Sequence, residues 1–452
     1  MNGHHIQPRN RMNKILLTLL ASALGVAAAP GVNWPNWRGP NHDGSSPETA
    51  LPAVFSPTEK VKWVTDLPGP SAATPVVWND RVFVSSTDAA TKKLKAFCLE
   101  RATGRVLWQK DIADAFGRDD RSNFASPSPV TDGKRVYFYY GTGDLLALDM
   151  DGSKVWARNI QKDYGTFAFL WTYSTSPLLH NGTLYIQVLQ RDTPVDRSRP
   201  LATTEGNKPI ESYLLALDAA DGKEQWRQVR PCDAKVESRE SFASPVPSAI
   251  GQREEILITG GDCITGHDPK TGRELWRWGT WNPTHIGHWR LVPSPVSGGG
   301  VVLACAPKGA PVFAFKAGQS GTLDVEKGFA WKSEQREVST DVSTPLFYKG
   351  RFYVLNSDRR MLSCVEPSGK ILWTGELGGR AKFEASPTGA DGKIYMMNHS
   401  GEVHVVAAGD TFKKIHVAAM GGDGDRDLRS AVAVAHGELF IRTGTKLWCV
   451  GN

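Results

Sequence analysis

Four arginines, Arg121, Arg239, Arg290 and Arg429, each stand a few residues before a step that opens an apolar run. Phe124, Phe242, His288 and Asp427 stand beside them in the same stretches, and the equivalent stretches elsewhere carry Trp171 and Tyr173, Asp341, and Lys382 and Glu384. A guanidinium offers a planar fork of donors that fits carboxylate or phosphate oxygens in pairs, and an aromatic face beside it covers a ring. Gathered on one axis, these residues make a cradle for an anionic or polyhydroxylated ligand. Asp341, Glu384 and Asp427 would then keep the arginines from repelling one another. The same residues also suit a polar channel that holds only water and its own ion pairs.

Other chemistry is thin. Asp423-Gly424-Asp425-Arg426-Asp427 opens like a calcium loop, but Leu428 stands at the sixth position and Val434 where the closing glutamate belongs. His285 and His288 are three apart with no carboxylate or cysteine nearby, so no zinc site is expected. The six cysteines form no C-x-x-C and no adjacent pair, and no G-x-S-x-G, H-E-x-x-H or P-loop occurs. No catalytic residue and no metal ligand is assigned, and the expectation is that no cofactor is bound.

What must position the arginines is a repeat. Leu214–Asp218, a turn closed by Gly222, and Trp226 form a phrase that returns around Trp108, Trp156, Trp276 and Trp373, with the glycine four residues before the tryptophan. Trp63 and Trp331 hold the same role, and Phe412 fits an eighth copy. Thr74-Pro75, Ser128-Pro129, Ser176-Pro177, Ser244-Pro245, Ser294-Pro295, Thr344-Pro345 and Ser386-Pro387 each start an inner strand, and Ser430-Ala431 takes the eighth place without proline. Four strands per copy and eight copies predict an all-β, eight-bladed β-propeller of four-stranded antiparallel blades. Val61–Asp66 has no strands of its own before it, whereas the C-terminus supplies three strands and no fourth. The N-terminal strand should therefore complete the last blade and close the ring. Loops entering the inner strands should share a face with the second-to-third-strand loops, which include an insertion at 191–212. The long turn at 316–328 departs most from the repeat.

The formal charge of +6 falls to +3 without Arg9, Arg11 and Lys14, and no basic run suits nucleic acid. Those three cations precede an apolar run, Ile15–Val26, and Ala27-Ala28-Ala29, so residues 1–29 read as a signal peptide. Nothing later resembles a membrane helix. Residues 30–60 read as an irregular lead packed on the propeller through Trp34 and Trp37, and 61–452 as the propeller itself. Cys98, Cys364 and Cys449 occupy a slot that Ala147 and Ala216 fill in sibling blades, which marks them as small buried strand residues.

The Ala-Leu-Asp-x-x-x-Gly-x-x-x-Trp phrase with its Ser-Pro steps resembles the pyrroloquinoline-quinone (PQQ) type repeat propellers over about 61–452. The lead 34–44 looks like that of exported members found in environmental bacteria. The resemblance implies either a quinone-dependent dehydrogenase or a non-catalytic scaffold such as the lipoprotein that assists outer-membrane β-barrel assembly. The dehydrogenases use an adjacent Cys-Cys ring, a stacking Trp, carboxylates on Ca²⁺ and an Asp base, and this chain has no Cys-Cys pair. The expectation is thus a periplasmic or secreted monomer that binds an envelope protein or a small anionic or carbohydrate ligand at its funnel. The alternative is a PQQ/Ca-dependent oxidoreductase.

Overall fold

The second and third strands of each repeat are almost wholly buried, as in Thr183–Val188 and Tyr213–Asp218, while the fourth, such as Glu224–Val229, is largely exposed. That gradient arises when sheets stand side by side around an axis, so that middle strands are covered on both faces by neighbouring sheets. The computed structural model describes residues 1–4, 31–195, 209–251, 253–279, 281–422, 424 and 428–452. The signal-peptide assignment, most of the 191–212 insertion and the calcium-like loop at 423–427 fall largely outside the described residues. Gly31–Asn452 forms one compact unit.

Eight antiparallel sheets make the ring. Blade one is Val76–Trp78, Arg81–Asp88, Lys93–Glu100 and Val106–Ala113, and blades two to seven repeat the order from axis to rim. Blade eight takes Ala433–Ala435, Glu438–Arg442 and Lys446–Gly451 from the C-terminus, and Val61–Asp66 pairs antiparallel with the last of these. The ring is closed as the strand count requires.

The repeat phrase is a blade-to-blade joint. Trp226 donates its indole N–H to Pro269 O of the next blade at 3.2 Å, and Trp63, Trp108, Trp156, Trp331 and Trp373 do the same to the turn of the blade that follows each. Under five of these six indoles, all but Trp373, lies the glycine of that turn: at Gly272 φ is +72, and a Cβ would sit 2.4 Å from Trp226. Opposite each tryptophan in its own sheet stands a small residue, Ala216 for Trp226 and Cys98, Cys364 and Cys449 for Trp108, Trp373 and Trp63. The indole needs the space that a larger side chain would fill.

Two joints depart from the pattern. Trp276 turns back to Glu255 of its own blade at 2.6 Å, and Trp278 makes the link to Val325 O of blade five. The long turn of blade five lays Gly321–Thr322 parallel to blade four's outer strand, which gives that sheet a fifth strand. Phe412 does not fill the eighth position. It packs on Trp373, and the residue in register is His416, whose Nε2 lies 2.7 Å from Phe55 O. Blade eight takes its outer strand from the far end of the chain, so no third-to-fourth-strand turn exists there to receive an indole, and residue 55 supplies the carbonyl.

Residues 31–60 cross the ring. Trp34 pairs with Val77 of blade one, the buried Arg38 donates to Pro345 O (2.5 Å) and Pro387 O (3.3 Å), and Glu48 accepts from the backbone of His436 and Gly437. Burial lowers the pKa of Arg38 to about 10, with Asp43 opposing.

Candidate functional site

The Ser/Thr of each inner-strand step does more than start a strand. Thr74 N donates to Ser128 Oγ, Ser128 N to Ser176, Ser176 N to Ser244, Ser244 N to Ser294, Ser294 N to Thr344, and Thr344 N to Ser386, all within 2.8–3.0 Å. Ala431 N completes a seventh link, to Thr74 Oγ1 at 3.3 Å. Blade eight, with Ala431 in place of a hydroxyl, interrupts the circle. Each of the seven hydroxyls accepts one bond and donates to no described protein atom, so seven O–H groups remain available. All seven line one axial cavity of about 160 Å³.

Trp37 also lines this well. Its neighbours Trp34 and Arg38 bond to backbone on or beside the inner strands, beyond the hydroxyl steps. Trp37 therefore lies at the end of the well away from the loops that enter those strands. At the other end stand Arg121, Trp171, Phe242, Arg290, Glu384 and Arg429. Arg121 lies over the Trp171 ring at 5.6 Å. Arg429 Nε meets Glu384 Oε2 at 2.6 Å, and His399 Nε2 meets the same oxygen at 3.1 Å. Burial works to raise the Glu384 carboxyl, but the His399 bond and the Arg429 charge outweigh it and hold it near 2. The Arg290 side chain is 9% exposed, its nearest charge partner is Glu237 at 3.7 Å, and it makes no hydrogen bond with any described residue. A buried guanidinium without hydrogen bonds is costly, and it marks where an oxyanion would be stabilised.

The other residues singled out in the sequence are dispersed. Asp341 and Lys382 line a second cavity of about 670 Å³ that opens beside the well over blades five to seven. Asp341 accepts from Lys308 N at 2.8 Å, and Lys382 pairs with Asp358 at 2.6 Å. Arg239 leaves the group: it donates to Cys232 O and Ala234 O and pairs with Asp192 at 3.4 Å. A short 3-10 turn, Val236–Arg239, rotates it off the axis. Tyr173 is buried among Tyr139, Phe167 and Phe169, with its hydroxyl on Gln187 O at 2.7 Å. His288 is exposed and lines neither cavity. Asp427 lies outside the described residues. The sequence reading missed Trp289, Arg336 and Ser357 of the second cavity, and Trp37 as a wall of the well. Arg290, Asp341, Lys382 and Glu384, singled out in the sequence, were the signal that this quarter of the mouth is charged.

Fold and well together define an eight-bladed propeller with a hydroxyl-lined, cationic axial mouth. The family model described as outer membrane protein assembly factor BamB matches residues 46–191 and 98–330, more than half of the chain, and the chain belongs to this PQQ-repeat family. It is 27% identical over 199 residues to a polyvinylalcohol dehydrogenase of a Pseudomonas species, and 25% identical over 196 residues to one of Sphingopyxis sp. strain 113P3. Each match covers 43% of this chain and only 28% of the relative's length. Among solved structures it is similar to quinohemoprotein alcohol dehydrogenase from Comamonas testosteroni, with a TM-score of 0.63 at 14% identity, covering 93% of this chain and 81% of that one. BamB from Moraxella catarrhalis gives 0.56 at 15% identity, with 86% and 98% covered. A europium-containing methanol dehydrogenase gives 0.64 at 12%, with 93% and 91% covered. At these identities the structures share a fold.

The expectation of no cofactor is corrected by these findings, since the relatives are dehydrogenases and two structural neighbours are dehydrogenases named for quinone and haem or for europium. Tested against such a group, the site fits in part. Guanidiniums and hydroxyls suit the carboxylates of a quinone such as PQQ. A resident metal is not matched: among the described residues no three His, Cys, Asp or Glu side chains gather in one place, and Glu384 is engaged by Arg429 and His399. The six cysteines are free thiols. No helix among the described residues is long and apolar enough to cross a membrane.

Proposed function

We propose that this protein is a binding propeller of the cell envelope whose axial well takes an anionic, ring-bearing ligand. The observation that supports it is Arg290, buried without a hydrogen bond at a well lined by seven hydroxyls with O–H groups to spare. In this reading Arg121, Arg290 and Arg429 receive the anion, Trp171 and Phe242 contact the ring, and residues 1–29 direct export. Isothermal titration of D-galacturonate and of PQQ, each carrying a ring and carboxylate, tests it. Arg290→Ala should abolish measurable binding of whichever binds, and equal affinity of variant and parent would sink the proposal.

A second reading, oxidation of alcohols with a quinone in the well, is favoured by the polyvinylalcohol dehydrogenase relatives. Dye-linked oxidation of polyvinyl alcohol or a short alcohol after addition of PQQ and Ca²⁺ separates the two. Turnover that Arg290→Ala removes would place the chain among the enzymes.

A further inference from the structure

The cavity over blades five to seven is not an outlying hollow. It shares Arg121, Arg290 and Glu384 with the mouth of the well, so the two spaces meet at those residues. Among the described residues its walls carry six cations, Arg121, Arg290, Lys308, Arg336, Arg359 and Lys382, against Asp341, Asp358 and Glu384. Lys308, Lys382 and Arg359 have acidic partners, the last in Glu337 at 3.3 Å. The exposed Arg336 side chain has no hydrogen bond or ion pair with any described residue. Ser357, only 4% exposed, has a buried Oγ with no hydrogen-bond partner, and it lines the same wall. A buried hydroxyl left without a partner costs free energy that a ligand oxygen would restore. Beside them the half-buried Trp289 presents an aromatic wall to the cavity.

We infer that this cavity is a second subsite, for a further carboxylated sugar unit of a chain whose first unit occupies the well. The inference rests on the proposed reading of the well and extends it from a single anionic ring to an acidic oligosaccharide of the uronate class. Trp289 stacks on the second ring, Arg336 pairs with its carboxylate, and Ser357 Oγ bonds a ring hydroxyl. A volume of about 670 Å³ accommodates a unit of this size. An aromatic face beside a cation and a neutral hydroxyl matches a carboxylated ring, whereas a chain of bare phosphates would leave Trp289 without a partner.

The experiment is titration of the full chain with D-galacturonate, tri-galacturonate and tripolyphosphate. The trimer should bind at least about tenfold more tightly than the monomer, a gain of about 1.4 kcal/mol. Arg336→Ala, an exposed position that leaves the fold intact, should erase most of that gain and leave monomer affinity unchanged. Arg290→Ala should weaken both. A trimer no tighter than the monomer, or Arg336→Ala without effect on the trimer, overturns the second subsite while the well stands. Tripolyphosphate binding as tightly as the trimer overturns the sugar assignment. If neither uronate binds the parent protein, this inference falls; the well reading falls with it if PQQ also fails to bind.

Discussion

The rim and the mouth of this propeller are built from the same number of repeats and follow opposite rules. At the rim, six tryptophans make one bond in one way, an indole N–H onto the next blade's turn, and five of them have a glycine beneath the ring. At the mouth no two entering loops carry the same chemistry, and Arg121, Arg290 and Arg429 have three different kinds of partner: an indole face, a carboxylate at 3.7 Å and a carboxylate at 2.6 Å. Between them lies the hydroxyl circle, regular as the rim in its backbone bonds and open as the mouth in its unused O–H groups. A uniform joint distributes the work of holding a ring together. Variable loops on that rigid scaffold are where recognition is placed.

The largest test of the rim is removal of residues 31–66. This strips the outer strand from blade eight and the carbonyl that His416 meets, and exposes the edge of Lys446–Gly451. The product should be aggregated; a soluble variant with the parent's thermal midpoint would show that closure is dispensable. Next in size is Trp278→Ala. This side chain is 1% exposed and supplies the indole bond of the blade four–five joint, so truncation should cost about 3–5 kcal/mol in denaturant unfolding. Trp226→Ala, at a half-buried joint, should cost less, about 2–3 kcal/mol. The reverse ranking would mean that the departure at blade four is decoration.

At the mouth the test is pH. Glu384 is held near 2 against an ordinary 4.5, so its contribution is present above about pH 4.5 and lost as pH falls through 2. Glu240, where burial outweighs Arg191 and lifts the carboxyl to about 7 from 4.5, acts the other way: its stabilisation is full below 4.5 and lost as pH rises through 7. Denaturant midpoints against pH should show both slopes, and Glu384→Gln should remove only the acidic one. An unchanged acid slope in that variant would place the Arg429–Glu384–His399 cluster outside the stability of the mouth. The smallest effect is at the circle: Ser244→Ala removes one of seven links and should cost about 1 kcal/mol. A loss several times larger would make the circle a cooperative belt.

Much of the rim was legible because its signals are local in sequence. A glycine four residues before a tryptophan states a turn and a ring at once, and a missing fourth strand at one end with a spare one at the other states closure. The exceptions were not legible. Trp276 and Trp278 lie two apart on one strand, so both point the same way, and only Glu255, two strands away in the same sheet, decides which one turns back. Phe412 looked like a tryptophan substitute because it is aromatic; the bulge at Val405/Val406 puts His416 in register instead. At the mouth, equivalence of loops predicted convergence for Arg121, Arg290 and Arg429 and failed for Arg239, since a single short turn aims that side chain at carbonyls.

By itself, then, the sequence determined the number of blades, the closing strand and the small residues opposite each indole, because these depend on strand periodicity and on volumes that neighbours in sequence already declare. The tertiary structure alone decided which side chains reach the axis and which cavity they share. Arg336, Ser357 and Trp289 come from different loops of blades five and six and meet only when the ring is closed. Their encounter depends on loop paths and rotamers that no repeat specifies, because the repeat fixes where each loop begins and ends and leaves its middle free.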